Sequence, residues 1–303
     1  MSDIGKQKAE SEARHGAGQT LRTTRYGEAI NRYLGAVGYP ESAGRPQPAA
    51  EPVRRPSGVV VAGVDETPTS YTAVDHAAIE AELRGWDLRL LHVQHLATDR
   101  DAGERLMERM IDRVRACSPG VVVTSRVAVG PAAPVLLSDG YNANLVVVGH
   151  RHSGVGRAFG LSVADRVAAH RMGPVLVVRV PGWPPGLDFG TRPLVVGVDG
   201  SPASVEAVDF AITEAGVRGC EVILLEAMGE SATATEYSEL RDGVLVHRRV
   251  VVGDPVARLI DASESAAAVV VGRRGPGGFA GSLLGSVSRS MVQRAHCPVF
   301  LVG

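Results

Sequence analysis

Short runs of β-branched, apolar residues without polar alternation recur along most of the chain, and stretches of helical period separate them. VVVAGV, LVVVG, VLVVRV and AVVVG are of this kind, and such runs suit strands covered on both faces of a parallel sheet. The pattern predicts strands near 59–64, 87–93, 121–128, 144–148 and 174–179, and again near 194–198, 220–226, 244–251, 268–271 and 298–302. Five strands with intervening helices in each set predict two doubly wound α/β domains.

The two sets are copies of one another. VAGVDETPTS at 61–70 matches VVGVDGSPAS at 195–204, and AVDHAAIEAELRGWDLRLLHV at 73–93 continues without a gap onto AVDFAITEAGVRGCEVILLEA at 207–227. The second copy then lacks eleven residues, where the first has RDAGERLMERMIDRVRACS. The second helix of the second copy is therefore expected to be short or irregular. Pairing resumes at 129–149 with 252–272, and after a single-residue slip at 163–178 with 287–302. A period of this length makes duplication the organising fact of the chain. The expected boundaries are a disordered tail at 1–56, a first domain at 57–180, a Pro- and Gly-rich linker at 181–192 and a second domain at 193–303. Within the tail, Arg25–Val37 can form a short amphipathic helix with Tyr26, Ile30, Tyr33 and Leu34 on one face, either transient or docked on the body or a partner.

Composition narrows the function. A net charge of −1 gives no global attraction to nucleic acid or an anionic membrane, and aromatics at 4% leave few platforms for base stacking. No apolar run reaches the roughly 20 residues of a membrane span. Met1 to Gln19 is polar and lacks the apolar core of a signal peptide, so a soluble, cytoplasmic protein is expected. Cys117, Cys220 and Cys297 are too far apart for a metal motif and read as reduced, buried thiols. His92 and His95 lie near the second strand with no third ligand to make a metal site.

The segment carrying chemistry is VVVGRRGPGGFAGSLLGSVSRSMV at 269–292. Gly272 ends a strand, Gly275, Gly277 and Gly278 follow, and Gly285-Ser286-Val287-Ser288 opens a helix. Glycines allow close backbone approach to an oxyanion, and a helix N-terminus favours phosphate. Ser286 and Ser288 can add hydroxyl donors, while Arg273 or Arg274 can offset charge. The corresponding loop of the first copy, GHRHSGVGRAFGLSVADRV at 149–167, has His152 and Leu161 in place of glycines and is one residue shorter. Leu161 is expected to resist a glycine conformation and to crowd phosphates there. His150, Arg151 and His152 read either as an alternative anion or pH-sensitive contact or as a solvated loop at the domain interface. No GxxxxGK[ST], GxGxxG or GxSxG motif is placed to act, and no catalytic residue or protein metal site is assigned.

The G-x2-G-x9-G-S spacing, with Asp199 in GVDGSPAS and Gly253-Asp254-Pro255, resembles the ATP-binding universal stress proteins. The resemblance covers about 58–180 and 192–303 and points to a tandem protein of that family. It implies a flavodoxin-like fold of the adenine nucleotide alpha-hydrolase type with strand order 3-2-1-4-5. Asp199 and the backbone at Ala227 would then hold the adenosine end of ATP, with or without Mg2+. Gly272, Gly275, Gly285, Ser286 and Val287 would wrap ribose and phosphates. In the first copy only Asp65, Val93, Gly149 and Ser162 remain of that set.

The resemblance further implies a pairing of fifth strands, in a homodimer or between the two copies as an intramolecular pseudo-dimer. Three functions fit: a nucleotide-dependent stress regulator, an interaction module needing no nucleotide and recruiting protein partners, or a slow ATPase or adenylate-handling enzyme.

Overall fold

The computed structural model describes residues 24–36, 57–96, 100–150, 162–179, 187–229, 233–275 and 284–303. After a first helix α1 (Arg25–Ala36), the first repeat runs β1 (Val59–Val64), α2 (Pro68–Arg84), β2 (Asp87–Gln94), α3 (Arg100–Cys117), β3 (Val123–Val129), α4 (Ala132–Asp139), β4 (Leu145–Gly149), α5 (Val163–His170) and β5 (Val175–Val178). A 3₁₀ turn (Leu187–Thr191) leads to the second repeat. It comprises β6 (Leu194–Val198), α6 (Pro202–Arg218), β7 (Val222–Met228), β8 (Thr235–Arg241), β9 (Val244–Val252), α7 (Pro255–Ser263), β10 (Ala268–Gly272), α8 (Ser286–Arg294) and β11 (Val299–Val302). The duplicated signals act alike. Thr67 and Ser201 N-cap α2 and α6 ahead of a proline, and Gly85 and Gly219 close them at φ 64° and 78°.

Among the described residues eleven strands form one sheet, in the order β3-β2-β1-β4-β5-β11-β10-β6-β7-β9-β8. Each repeat keeps the order 3-2-1-4-5 with parallel neighbours, and the fifth strands meet antiparallel, Leu176 opposite Phe300. The repeats are thus joined edge to edge about a pseudo-two-fold axis. Helices cover both faces. Val60 and Val61, both fully buried, point to opposite sides, one toward α1, α2, α3 and α6, the other toward α4, α5, α7 and α8.

Two expectations are corrected. Where the second repeat was to have a short or irregular helix, β8 instead pairs antiparallel with β9. The cause is Asp242-Gly243, with φ of 50° and 79°, the conformation a tight two-residue hairpin demands. The second correction concerns the tail, because Arg25–Ala36 is a helix packed on the body. Tyr26, Ala29, Ile30 and Tyr33 are buried. Arg113 of α3 ties it down, donating to the Tyr33 hydroxyl at 3.0 Å and gripping Asp75 of α2 at 2.6 and 2.8 Å. The linker is also structured at its end: Phe189 is buried beside Tyr26, and a Cβ on Gly190 would lie 2.3 Å from the Gly27 Cα. Only a glycine lets the turn and the helix touch backbone to backbone.

Between α2 and α6 lies a buried ring of charge. Arg84 binds Glu80 of its own helix at 2.5 Å and Glu214 across the interface. Arg218 binds Glu214 at 2.5 Å and Glu80 across it. Glu80 aligns with Glu214 and Arg84 with Arg218, so the pseudo-symmetry makes the ring. Burial alone would push the Glu214 carboxyl up, but Arg84 and Arg218 outweigh it and hold it at about 2. The Tyr26 ring stacks on the Arg218 guanidinium, 4.2 Å from ring centroid to Cζ.

Removing one partner from such a buried ring leaves a bare charge. Arg218→Met should therefore cost about 3–5 kcal/mol, and pairing it with Glu80→Met should recover much of that in chemical denaturation. Tyr26→Ala should cost about 3–5 kcal/mol and expose 24–36 to limited proteolysis. Unchanged cleavage would show that α1 is held by other contacts.

Candidate functional site

A cavity of 520 Å³ opens at the carboxyl ends of β6, β7 and β10 in the second repeat. That is where open α/β sheets bind ligands, and the volume is that of a small-molecule site. Asp199, Ala227, Gly272, Gly275, Gly285, Ser286, Val287 and Ser288 all line it, so residues 89 positions apart in sequence meet at one site.

The floor is built by local rules. Asp199 follows β6, and its Oδ1 accepts from the Ser201 amide at 3.0 Å and the Ser201 hydroxyl at 2.6 Å. This Asx turn starts α6 and leaves the carboxylate exposed at the cavity. A Cβ on Gly275 would lie 2.6 Å from Asp199 Oδ2, and one on Gly272 would meet the Ala203 backbone at 2.9 Å. Both glycines are there for close approach. The third wall comes from Gly253-Asp254-Pro255. Gly253 has φ 132°, Asp254 N-caps α7 through the Ala257 amide, and Pro255 lines the cavity.

The start of α8 faces the same space. Its N-cap is Gly285, with no side chain to accept from the first-turn amides. Among the described residues no side chain takes the backbone amides of Ser286, Val287 and Ser288, which can serve a ligand. Gly285 has φ −66° and a Cβ there would only touch the Arg273 carbonyl at 3.4 Å, so neither the backbone nor close packing at Cβ demands glycine. That corrects the reason expected for this glycine. A leucine would accept the conformation but add its side chain at the cavity wall.

Two charged or polar assignments also change. Ser288 is buried and its hydroxyl donates to the Arg273 carbonyl at 2.8 Å, so it braces the loop and is not a free donor. Arg273 does not line the cavity. Its guanidinium turns toward the first repeat, where Nε donates to the Ala168 carbonyl at 3.0 Å. Consecutive residues at a strand end point to opposite sides. Arg274 is the one that lines the cavity, with an exposed side chain. The sequence reading missed Ser201, Leu225 and Leu259 in the lining, and exposed Arg289 in the first turn of α8. A cation there opposes the helix dipole unless an anion is bound nearby.

The first repeat brings Asp65, Val93, Gly149 and Ser162 to the equivalent end of the sheet. Asp65 repeats the Asx turn, accepting from the Thr67 amide at 2.9 Å, and a Cβ on Gly149 would lie 3.0 Å from the Thr69 carbonyl. The helix start differs. Ser162 N-caps α5, accepting from the Asp165 amide at 3.0 Å, while Asp165 accepts from the Ser162 amide at 3.0 Å and hydroxyl at 2.7 Å. His150 Nε2 lies 3.6 Å from Asp165. Burial would raise the Asp165 carboxyl, yet the nearby His150 ring and the hydrogen bonds from Ser162 hold it at about 2. This helix carries its own anion where α8 has Arg289. Pro131 stands where Asp254 caps α7, and it makes no side-chain cap. The expectations for Arg151, His152 and Leu161, and for Gly277 and Gly278, lie outside the described residues.

Comparison with known proteins agrees with this architecture. The model of the Universal stress protein family matches residues 57–179, 190–241 and 225–303. A universal stress protein of Mycobacterium tuberculosis is 30% identical over 302 residues, covering 80% of this chain and 94% of its own. The crystal structure of a universal stress protein from Archaeoglobus fulgidus superposes with a TM-score of 0.65 at 16% identity, covering 80% of this chain and 97% of that one. A universal stress protein solved in complex with cAMP is 28% identical over 40% of this chain and 96% of its own, with a TM-score of 0.35. With two matched copies in one chain, this protein belongs to the universal stress protein family.

Proposed function

We propose that this chain is a nucleotide-dependent regulator of the stress response that binds ATP in its second repeat. The observation that carries the reading is the uncapped start of α8 facing a cavity floored by Asp199, Gly272 and Gly275. The phosphates would take the amides of Ser286, Val287 and Ser288, with Arg274 and Arg289 offsetting their charge. Leu225, Leu259 and Val271 give the cavity its apolar side, suited to the face of a base, and the exposed carboxylate of Asp199 can accept from ribose hydroxyls. Mg2+ would enter on the phosphates, since among the described residues no three His, Cys, Asp or Glu side chains are gathered to hold a metal.

The first repeat supports a different use. Its Ser162 hydroxyl already takes the Asp165 amide, and the Asp165 carboxylate stands at the helix start, so a phosphate there would meet a fixed like charge and one fewer free amide. One nucleotide per chain follows from this asymmetry. A ligand that binds one repeat and favours one form of the whole chain is a regulator by population shift.

Isothermal titration of the full chain with ATP tests both statements. Micromolar binding, about −8 kcal/mol, is expected with a stoichiometry near one. Gly285→Leu keeps the backbone conformation but fills the cavity and should weaken binding by about 100-fold, since about 3 kcal/mol is an ordinary cost of overpacking. A stoichiometry of two would overturn the self-capped reading of the first repeat. No heat, and no nucleotide released by acid from the purified protein, would leave an interaction module that works without one.

A further inference from the structure

Arg273 performs two tasks with two parts of one residue. Its backbone belongs to the candidate nucleotide site. The amide donates to Val302 at 2.9 Å, and the carbonyl accepts from the Gly285 amide at 2.7 Å and the Ser288 hydroxyl at 2.8 Å. That carbonyl fixes where α8 begins, and so where its first-turn amides point. On the other side, Arg274 and Gly275 continue directly into the cavity lining.

The side chain belongs to the seam between repeats. It is 5% exposed, and its donors are spent on backbone oxygens: Nε on Ala168 at 3.0 Å, Nη2 on Gly173 and Nη1 on Gly303. Ala168 lies in the last turn of α5, where carbonyls have no partner within the helix. Gly173 is in the turn that leads into β5. Burial, with Arg171 and Arg274 nearby, pulls this guanidinium down to about 10. A buried cation of this kind is costly, and a residue that only closed the seam could be apolar. The first repeat has His150 at the equivalent position, and its ring faces Asp165 of its own repeat. Among the described residues this strand-end position therefore bridges the seam only in the second repeat, while Arg179 at the end of β5 reaches the other way, to the Ala295 carbonyl.

Resting on the reading that ATP binds the second repeat, we propose that Arg273 is a positioning residue that makes the first repeat part of the nucleotide site. It holds the end of β10 and the start of α8 in place through the C-terminal end of α5. A nucleotide bound at the start of α8 then stiffens 168–173 across the seam, and by linkage the state of 168–173 sets nucleotide affinity by the same factor.

Hydrogen exchange of the full chain, with and without saturating ATP, tests this together with titration. In the unaltered protein ATP should slow exchange at both 285–289 and 168–173. In Arg273→Met, ATP affinity should fall about 10-fold, within the usual range for coupled sites. At saturation 285–289 should still be protected in that variant, while protection at 168–173 is lost. Arg273→Lys, which keeps a donor but not the fork, should recover part of both effects. Protection confined to 285–289 in the unaltered protein would overturn the coupling, and this arm needs no variant to fold. Wild-type affinity and retained protection at 168–173 in Arg273→Met would overturn it equally. No binding and no protection anywhere would overturn the nucleotide reading itself, and the coupling with it.

Discussion

The antiparallel contact of β5 with β11 is the constraint from which the rest follows. A doubly wound domain that ends on its fifth strand leaves a row of unpaired backbone donors and acceptors at that edge. Here each repeat closes the other's edge, with Val175, Leu176 and Val177 opposite Leu301, Phe300 and Val299. Once these strands pair, the helices flanking them must meet across the seam. On one face this brings α2 against α6 and buries Glu80, Arg84, Glu214 and Arg218 as a ring. On the other it brings Arg273 to the end of α5, and Arg179 within 3.5 Å of the Ala295 carbonyl at the end of α8. Both sets of polar contacts are consequences of the strand pairing, and neither could form in an isolated repeat.

Within this near-symmetric frame the repeats diverge at one spot. The helix after the fourth strand has a capping box of Ser162 and Asp165 in the first repeat and begins at Gly285, with no side-chain cap, in the second. In the second repeat Arg289 lies in the first turn, against the helix dipole. The departure from the capping and dipole rules lies at the cavity, on which the proposed nucleotide site rests. The first repeat obeys the rule and gains a well-capped helix. The second begins at Gly285 with no side-chain cap.

The sequence made the duplication legible because aligned copies expose what they share: the Asp199 and Asp65 turns, the strand-end glycines, and the strand order that the family resemblance implies. What it hid has specific physical causes. Arg273 and Arg274 are neighbours of one type, and only the backbone decides which faces the cavity. Gly285 reads as a conformational glycine, yet its φ is ordinary and what it does is leave the start of α8 without a side-chain cap. The β8–β9 hairpin was signalled by Asp242-Gly243, a signal masked by describing the second copy as the first with residues removed. The apolar face of α1 was legible, but whether it docks on the body was not decided by its own residues. Its burial depends on Phe189, Gly190, Arg113 and Arg218, which are distant in sequence.

The ring between α2 and α6 uses the same two residues twice, at equivalent positions. A single repeat carrying that glutamate and arginine could close an identical ring with a second copy of itself. Such an assembly would come apart on dilution. Joining the copies in one chain replaces that concentration with an effective one on the order of millimolar. The seam then persists however scarce the protein is. Each half is also released from having to serve as both partners at once, which is the condition under which one helix start can be sealed and the other left open.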